Sequence, residues 1–319
     1  MDPRPPETLG RYRLLSEAPV PGSSKTYRAE DPFLGREVLL KALEAGSAPA
    51  ERAARFRQEM RLAARLSHPG LFRVLDAGED GDWLWFAMER LEGRTLRAEM
   101  DERKRLPLAR ALGVLVGILL PLDYLHASQV VHRDVKPENV LLVPCRLEPE
   151  GRPVLLDLGI AKDRSDAGRT ITRHGERALG SEYYAAPEAL ADAARATFAS
   201  DVYSTGVLLY EMLAGRLPVG SNFPALDDCV PDAPCWIQML FETMHASDER
   251  ARFAKAGDVL AALREQVSPE AWHATARSGS SPHDPPRSAR EWEAARAPGS
   301  GRGKTPFWLA WLPGRGRAP

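Results

Sequence analysis

His132-Arg133-Asp134-Val135-Lys136-Pro137-Glu138-Asn139 decides how the rest of this chain is read, followed by Asp157-Leu158-Gly159 and then by Ala186-Pro187-Glu188. Outward from that stretch, the sequence falls into two unlike parts. Ahead of it, short runs of strand character cover 12–15, 26–29, 37–43, 71–75 and 83–88, broken by Pro- and Gly-rich turns. One helix interrupts them. Over 51–66, Phe56, Met60 and Ala63 recur at helical spacing, and Pro69 after Ser67-His68 marks the exit. After Gly93 helices are predicted over 106–126, 199–213, 236–245 and 254–266, with the polar motif residues left to loops. A small β-rich lobe therefore precedes a larger α-rich one, an α+β layout.

Periodicity alone pairs two charged residues of the first part. On strand 37–43, a period of two puts Lys41 on the same apolar face as Leu39 and Leu43. On the helix that follows, Glu59 lies beside the stripe of Phe56, Met60 and Ala63. A carboxylate aimed at a core needs a cation, and Lys41 can supply one.

With these residues in place, the chain resembles the serine/threonine protein kinases of bacterial, eukaryotic-like type, over roughly 9–266. The resemblance implies a bilobal kinase fold, an N-lobe of about 9–90 and a C-lobe of about 94–266. Phosphoryl transfer requires a positioned hydroxyl, a proton acceptor and cations to neutralise the transferring group. By resemblance, Asp134 is the base that orients and deprotonates the substrate hydroxyl, with Arg133 before it and Lys136 on the γ-phosphate. Asn139 and Asp157 offer the hard oxygens that Mg²⁺, or Mn²⁺, prefers. Lys41 would hold the α- and β-phosphates of ATP, and Glu59 would hold Lys41. Glu89 and Leu91 in Met88-Glu89-Arg90-Leu91-Glu92-Gly93 would contact adenine through backbone groups, with Gly93 permitting the turn and Leu141 as the floor under the base.

Further along, Thr170 and Thr172, with Ser165, fall where an activation loop is expected, and Arg133 can pair with a phosphate installed there. Autophosphorylation at Thr170 or Thr172, through self-association, is expected. Ser181 stands where the family has a threonine beside the base, and Glu182 where it has a proline. Glu188 and Arg252 match a structural ion pair, and Asp201 matches the helix residue that braces the catalytic-loop backbone.

The phosphate-covering loop departs from the family. Where a G-x-G-x-x-G-x-V turn is usual, the chain reads Ser16-Glu17-Ala18-Pro19-Val20-Pro21-Gly22-Ser23-Ser24-Lys25-Thr26, and only Gly22 remains. Two prolines remove donors and stiffen φ, Thr26 replaces the valine over adenine, and Leu39 replaces a small alanine. Two readings follow: a modified lid that still binds ATP, or a kinase-fold binding module that transfers little or no phosphate.

Composition fits this picture. The 319 residues are 44% hydrophobic and 27% charged, enough for a large core, and the net charge of -1 gives no reason to expect nucleic acid as a partner. The expected partners are ATP and protein substrates. Three cysteines without a CxxC pair suggest neither disulfide framework nor zinc site, and suit the cytoplasm. The apolar run 111–120 stops at Pro121, too short to cross a bilayer, so no transmembrane segment is expected. Residues 1–8 read as an N-terminal extension, and 267–319, rich in Pro, Gly, Ser and Arg, as a disordered tail.

Overall fold

The computed structural model describes residues 6–18, 25–146, 148–157, 181–220 and 223–266. Its first part is one antiparallel sheet built from β1 (Thr8–Leu9), β2 (Tyr12–Ala18), β3 (Lys25–Asp31), β4 (Arg36–Glu44), β5 (Val74–Asp80) and β6 (Trp83–Glu89). The strand order is β1-β2-β3-β4-β6-β5, and α1 (Ala50–Ala63) joins β4 to β5.

Alternation along β4 and β6 gives this sheet two different faces. Val38, Leu40, Ala42, Trp85 and Ala87 bury themselves in an outer cluster with Leu9, Tyr12 and Tyr27. Leu43, Leu84 and Phe86 point the other way, into the main core, where Phe86 meets Phe56 of α1 at 5.6 Å between ring centroids. Burying each such phenylalanine contributes about 1.5–3 kcal/mol. Lys41, in register with Phe86, is thereby committed to the inner face.

The second part is mainly helical. It comprises β7 (Arg94–Thr95), α2 (Leu96–Arg103), α3 (Leu108–Ala127), β8 (Val140–Cys145), β9 (Glu148–Leu155), α4 (Pro187–Ala191), α5 (Phe198–Ala214), α6 (Leu226–Cys229), α7 (Trp236–Met244) and α8 (Ala256–Gln266). Strands β7, β8 and β9 form a separate three-stranded sheet. Helix α5 starts at a capping box between Thr197 and Ser200 and ends at Gly215, whose φ of 70° is the left-handed cap that a residue without Cβ adopts at little cost.

Three local expectations are corrected. The apolar run at 71–75 is not one strand: Leu71 makes an isolated parallel bridge to Leu155, and β5 begins only at Val74. Its two leucines serve different clusters, Leu71 the main core and Leu75 the outer face of the first sheet. The apolar stretch does not stop at Pro121, which lies inside α3, a helix of 20 residues. Among the described residues α3 is the one helix long and apolar enough to cross a membrane, and more than half of it is packed inside the chain. Gly93 is needed for close approach rather than for a turn: a Cβ there would stand 2.3 Å from the Leu142 carbonyl oxygen.

Candidate active site

The loop between α3 and β8 presents its polar residues as one connected group. Asn139 Nδ2 donates to Asp134 Oδ2 at 2.6 Å and to the Asp134 carbonyl at 2.9 Å, while Lys136 Nζ lies 3.2 Å from Asp134 Oδ2. With its nitrogen engaged by Asp134, the Asn139 amide keeps its oxygen for another partner. Asn139 closes a single 3₁₀ turn, Pro137–Asn139, in which the proline sits at the first position where no N–H is required.

Asp201 of α5 holds this loop by its backbone. Its two carboxylate oxygens accept His132 N and Arg133 N, both at 2.8 Å. Arg133 needs such support because its φ is +68°, a left-handed conformation that costs a non-glycine residue about 1–3 kcal/mol. His126 adds a third bond, Nε2 to Asp201 Oδ2 at 3.1 Å. Its Nδ1 accepts Ala256 N at 3.2 Å, so Nε2 is the nitrogen that donates. The Arg133 side chain itself is exposed.

Asp157 is brought in by the strand before it. Leu155 N bonds the Gly70 carbonyl at 2.8 Å and Leu156 N bonds the Asn139 carbonyl at 2.8 Å, which sets Asp157 between the two parts of the chain with φ of +48°. Its Oδ1 meets Lys41 Nζ at 2.7 Å, and Lys41 Nζ meets Glu59 Oε1 at 2.8 Å. Burial disfavours the Lys41 ammonium, but the Asp157 and Glu59 carboxylates outweigh it and hold lysine well above its usual range. Burial pulls Glu59 up more than Lys41 pulls it down. The lysine, faced by two carboxylates, is the firmly charged member.

Glu188 and Arg252 form a fork-to-fork pair, Nη1 to Oε1 at 2.7 Å and Nη2 to Oε2 at 2.9 Å. Ser200 Oγ also donates to Glu188, at 2.6 Å. Burial pushes this carboxyl up, yet the bonds from Arg252 and Ser200 prevail and hold it at about 2. Glu89 N donates to the Arg73 carbonyl at 3.0 Å, which limits the contact expected from Glu89 to its carbonyl. Leu91 and Leu141 are both half-buried, and the backbone on either side of Leu141 pairs with Thr95 and Val154. Ser181 opens a short turn, Ser181–Tyr183. Gly22, Thr170 and Thr172 lie outside the described residues, as do Ser165 and the tail from 267.

Sequence reasoning missed four polar residues at this site. His126 had no assigned role, and Arg97, Tyr184 and Glu211 were not singled out. Arg97 contacts Glu138, Glu211 and Tyr184, which lie 41, 114 and 87 residues away. At such separations no local spacing reveals them.

Comparison with known proteins agrees with this architecture. The family model for the protein kinase domain matches residues 22–246. A probable serine/threonine-protein kinase of Streptomyces coelicolor is 38% identical over 221 residues, 67% of this chain and 32% of that protein. The serine/threonine-protein kinase PrkC of Bacillus subtilis is 32% identical over 269 residues, 80% of this chain and 40% of PrkC. PknL of Mycobacterium bovis, also a serine/threonine-protein kinase, is 38% identical over 230 residues, 70% of this chain and 55% of PknL. The matches thus cover from 32% to 55% of those proteins. The chain belongs to the protein kinase family, in its bacterial serine/threonine type, and has the bilobal α+β fold of that family.

Proposed function

We propose that this chain transfers the γ-phosphate of ATP to serine or threonine hydroxyls of proteins, with Asp134 as the catalytic base. The observation that carries the reading is the single group made by Asp134, Lys136 and Asn139, placed next to Asp157 and its partner Lys41. These donors fit a magnesium nucleotide. Asp157 and Asn139 supply two hard oxygens, the number Mg²⁺ commonly takes from a protein when phosphates and waters complete its shell, and Mn²⁺ accepts the same set. When bound, Mg-ATP supplies the phosphoryl group and a divalent charge to offset the anionic oxygens.

The chain's own residues do the rest. Asp134, fixed by the Asn139 amide and the Lys136 ammonium, orients the incoming hydroxyl and accepts its proton. Lys136 offsets negative charge where it builds up during transfer. Lys41 clamps the α- and β-phosphates and is itself kept straight by Glu59. Glu89, Leu91 and Leu141 take the base. Gly22 contributes backbone to the phosphate cover, and Ser181 faces the substrate. Asp201 braces the catalytic loop, and Glu188 with Arg252 anchors the substrate-facing segment.

Arg133, exposed beside Asp134, is the cation that would pair with phosphate on Thr170 or Thr172, added by a second copy of the chain. The kinase domain spans 9–266 in this proposal, between an extension of 1–8 and a tail of 267–319. Three free thiols suit a reducing, cytoplasmic setting. The rival reading, a binding module without transfer, draws on Pro19 and Pro21 in the phosphate-covering loop. Incubation with γ-labelled Mg-ATP and a generic basic protein, followed by phosphoamino-acid analysis, separates the two. Phosphoserine or phosphothreonine supports transfer, and ATP binding without any label supports the module.

A further inference from the structure

Outside the groups so far assigned, a polar cluster that joins distant segments surrounds Arg97, the second residue of α2. Thr95 caps that helix by accepting Ala98 N, which fixes where Arg97 leaves it. All three guanidinium nitrogens are engaged. Nε donates to Glu138 Oε1 at 2.9 Å, Nη1 to Glu211 Oε1 at 2.9 Å, and Nη2 to the Tyr184 hydroxyl at 2.7 Å. Nη2 also reaches Glu211 Oε2 at 3.4 Å, and Asp101, one turn along α2, lies 3.7 Å from Nη1. The Tyr184 hydroxyl in turn donates to Glu211 Oε2. Burial, then the Glu211 carboxylate, pushes the Tyr184 phenol far above its usual range, so it remains a donor at every working pH.

Apart from Asp101 on α2 itself, the partners come from three different segments. Glu138 belongs to the 3₁₀ turn of the catalytic loop and is bonded in sequence to Asn139, the residue that holds Asp134. Tyr184 belongs to the segment between Ser181 and the Glu188 anchor, and is buried. Glu211 belongs to α5, the same helix whose Asp201 grips the other end of the catalytic loop. We infer that Arg97 is a positioning residue for phosphate transfer to protein: its guanidinium sets the catalytic loop and the substrate-facing segment at a fixed distance from each other. The planar fork with five donors on three nitrogens is what makes this feasible, since a lysine's three donors radiate from a single nitrogen and cannot reach acceptors spread around a guanidinium plane. The inference rests on the kinase reading and adds to it a residue that contacts neither nucleotide nor reacting atoms.

The test uses the full chain, Arg97→Gln, Arg97→Lys and Tyr184→Phe, with Mg-ATP and a peptide acceptor that the wild type phosphorylates. A misplaced acceptor hydroxyl costs rate steeply, so kcat/KM for the peptide is expected to fall about 10- to 100-fold in Arg97→Gln. KM for ATP should stay within about twofold, because Lys41, Asp157 and the hinge are untouched. Arg97→Lys should recover only a minor part. Tyr184→Phe keeps the buried ring and loses only the hydroxyl, so it carries the test if Arg97→Gln does not fold, and it should show the same selective loss. The double variant Arg97→Gln with Tyr184→Phe should be little worse than Arg97→Gln alone. Wild-type peptide kinetics in Arg97→Gln and in Tyr184→Phe, or equal losses in the ATP and peptide parameters, would overturn the inference while leaving the kinase reading intact. A wild type that transfers no phosphate removes both together.

Discussion

Lys41 Nζ lies 2.7 Å from Asp157 Oδ1 across 116 residues of sequence, and that contact joins the inner face of the first sheet to the end of β9. Lys41→Met removes the cation shared by Asp157 and Glu59. Steady-state kinetics with Mg-ATP should show kcat/KM reduced about 10²–10³-fold, the loss typical of one preorganised charge-stabilising donor. Glu59→Gln, which leaves the lysine in place, should cost less than Lys41→Met. Unchanged turnover in Lys41→Met would remove Lys41 from the phosphate clamp.

Asp201 should be felt through the loop it grips. Asp201→Asn keeps one acceptor oxygen for two backbone N–H groups and loses the charge, a loss of about 1.5–3 kcal/mol for a charge-assisted bond. Amide exchange at His132 and Arg133 should accelerate, and transfer should slow as the left-handed Arg133 relaxes. Unaltered exchange at both amides would show that the loop holds itself.

The Glu188–Arg252 pair is buried on the arginine side, where the side chain is 0% exposed. Arg252→Ala leaves the Glu188 carboxylate without its fork and exposes the Ala246, Ser247 and Ala199 carbonyls that Arg252 also serves. Urea titration should show about 3–5 kcal/mol of destabilisation, the usual cost of breaking one partner out of a buried pair. Arg252→Lys should not restore it, because lysine cannot make the two parallel bonds.

Acid sensitivity follows from three depressed groups. Burial, then Arg152 for His68 and Arg252 for His245, lowers both histidines from 6.5 to about 4. An imidazole kept neutral in the fold takes up protons more readily unfolded, so its contribution is complete above 6.5 and is lost as pH falls through about 4. Glu188 acts lower, its contribution present above 4.5 and lost as pH falls through about 2. Glu148 has the opposite sign. Burial, against Arg110 and Arg152, lifts it from 4.5 to about 7, so stability is lost as pH rises through about 7. Melting curves should show His68→Asn with His245→Asn flattening the fall in Tm between pH 6.5 and 4, and Glu148→Gln raising Tm at pH 8 but not at pH 4. A Tm profile unmoved by these changes would contradict the burial of the groups.

The sequence was most legible where geometry is local. Alternation through Leu39, Lys41 and Leu43, and helical spacing through Phe56, Glu59, Met60 and Ala63, forecast that Lys41 and Glu59 would face each other, and they meet at 2.8 Å. The run from His132 to Asn139 is likewise short enough to be read directly. Legibility failed where a residue answers to a distant partner. Leu71 is apolar because its side chain is buried in the main core, and Gly93 is small for the Leu142 carbonyl. Helix α2 escaped notice because Arg97, Glu99, Asp101, Glu102 and Arg103 break its apolar pattern; the buried Glu99 is neutralised by Arg103 and by Arg110 of α3. Pro121 bounded the apolar run as read in one dimension, although the helix expected over 106–126 already ran through it, as α3 does.

The most direct test compares wild type and Asp134→Asn for transfer of γ-labelled phosphate from Mg-ATP to the chain itself and to a generic basic protein. Asn139 and Lys136 remain to support the loop, so the variant should fold and bind ATP. The account predicts label on serine or threonine with wild type and a loss of at least about 10²-fold in Asp134→Asn. Equal labelling by both proteins, or none by a wild type shown to bind ATP, would contradict it.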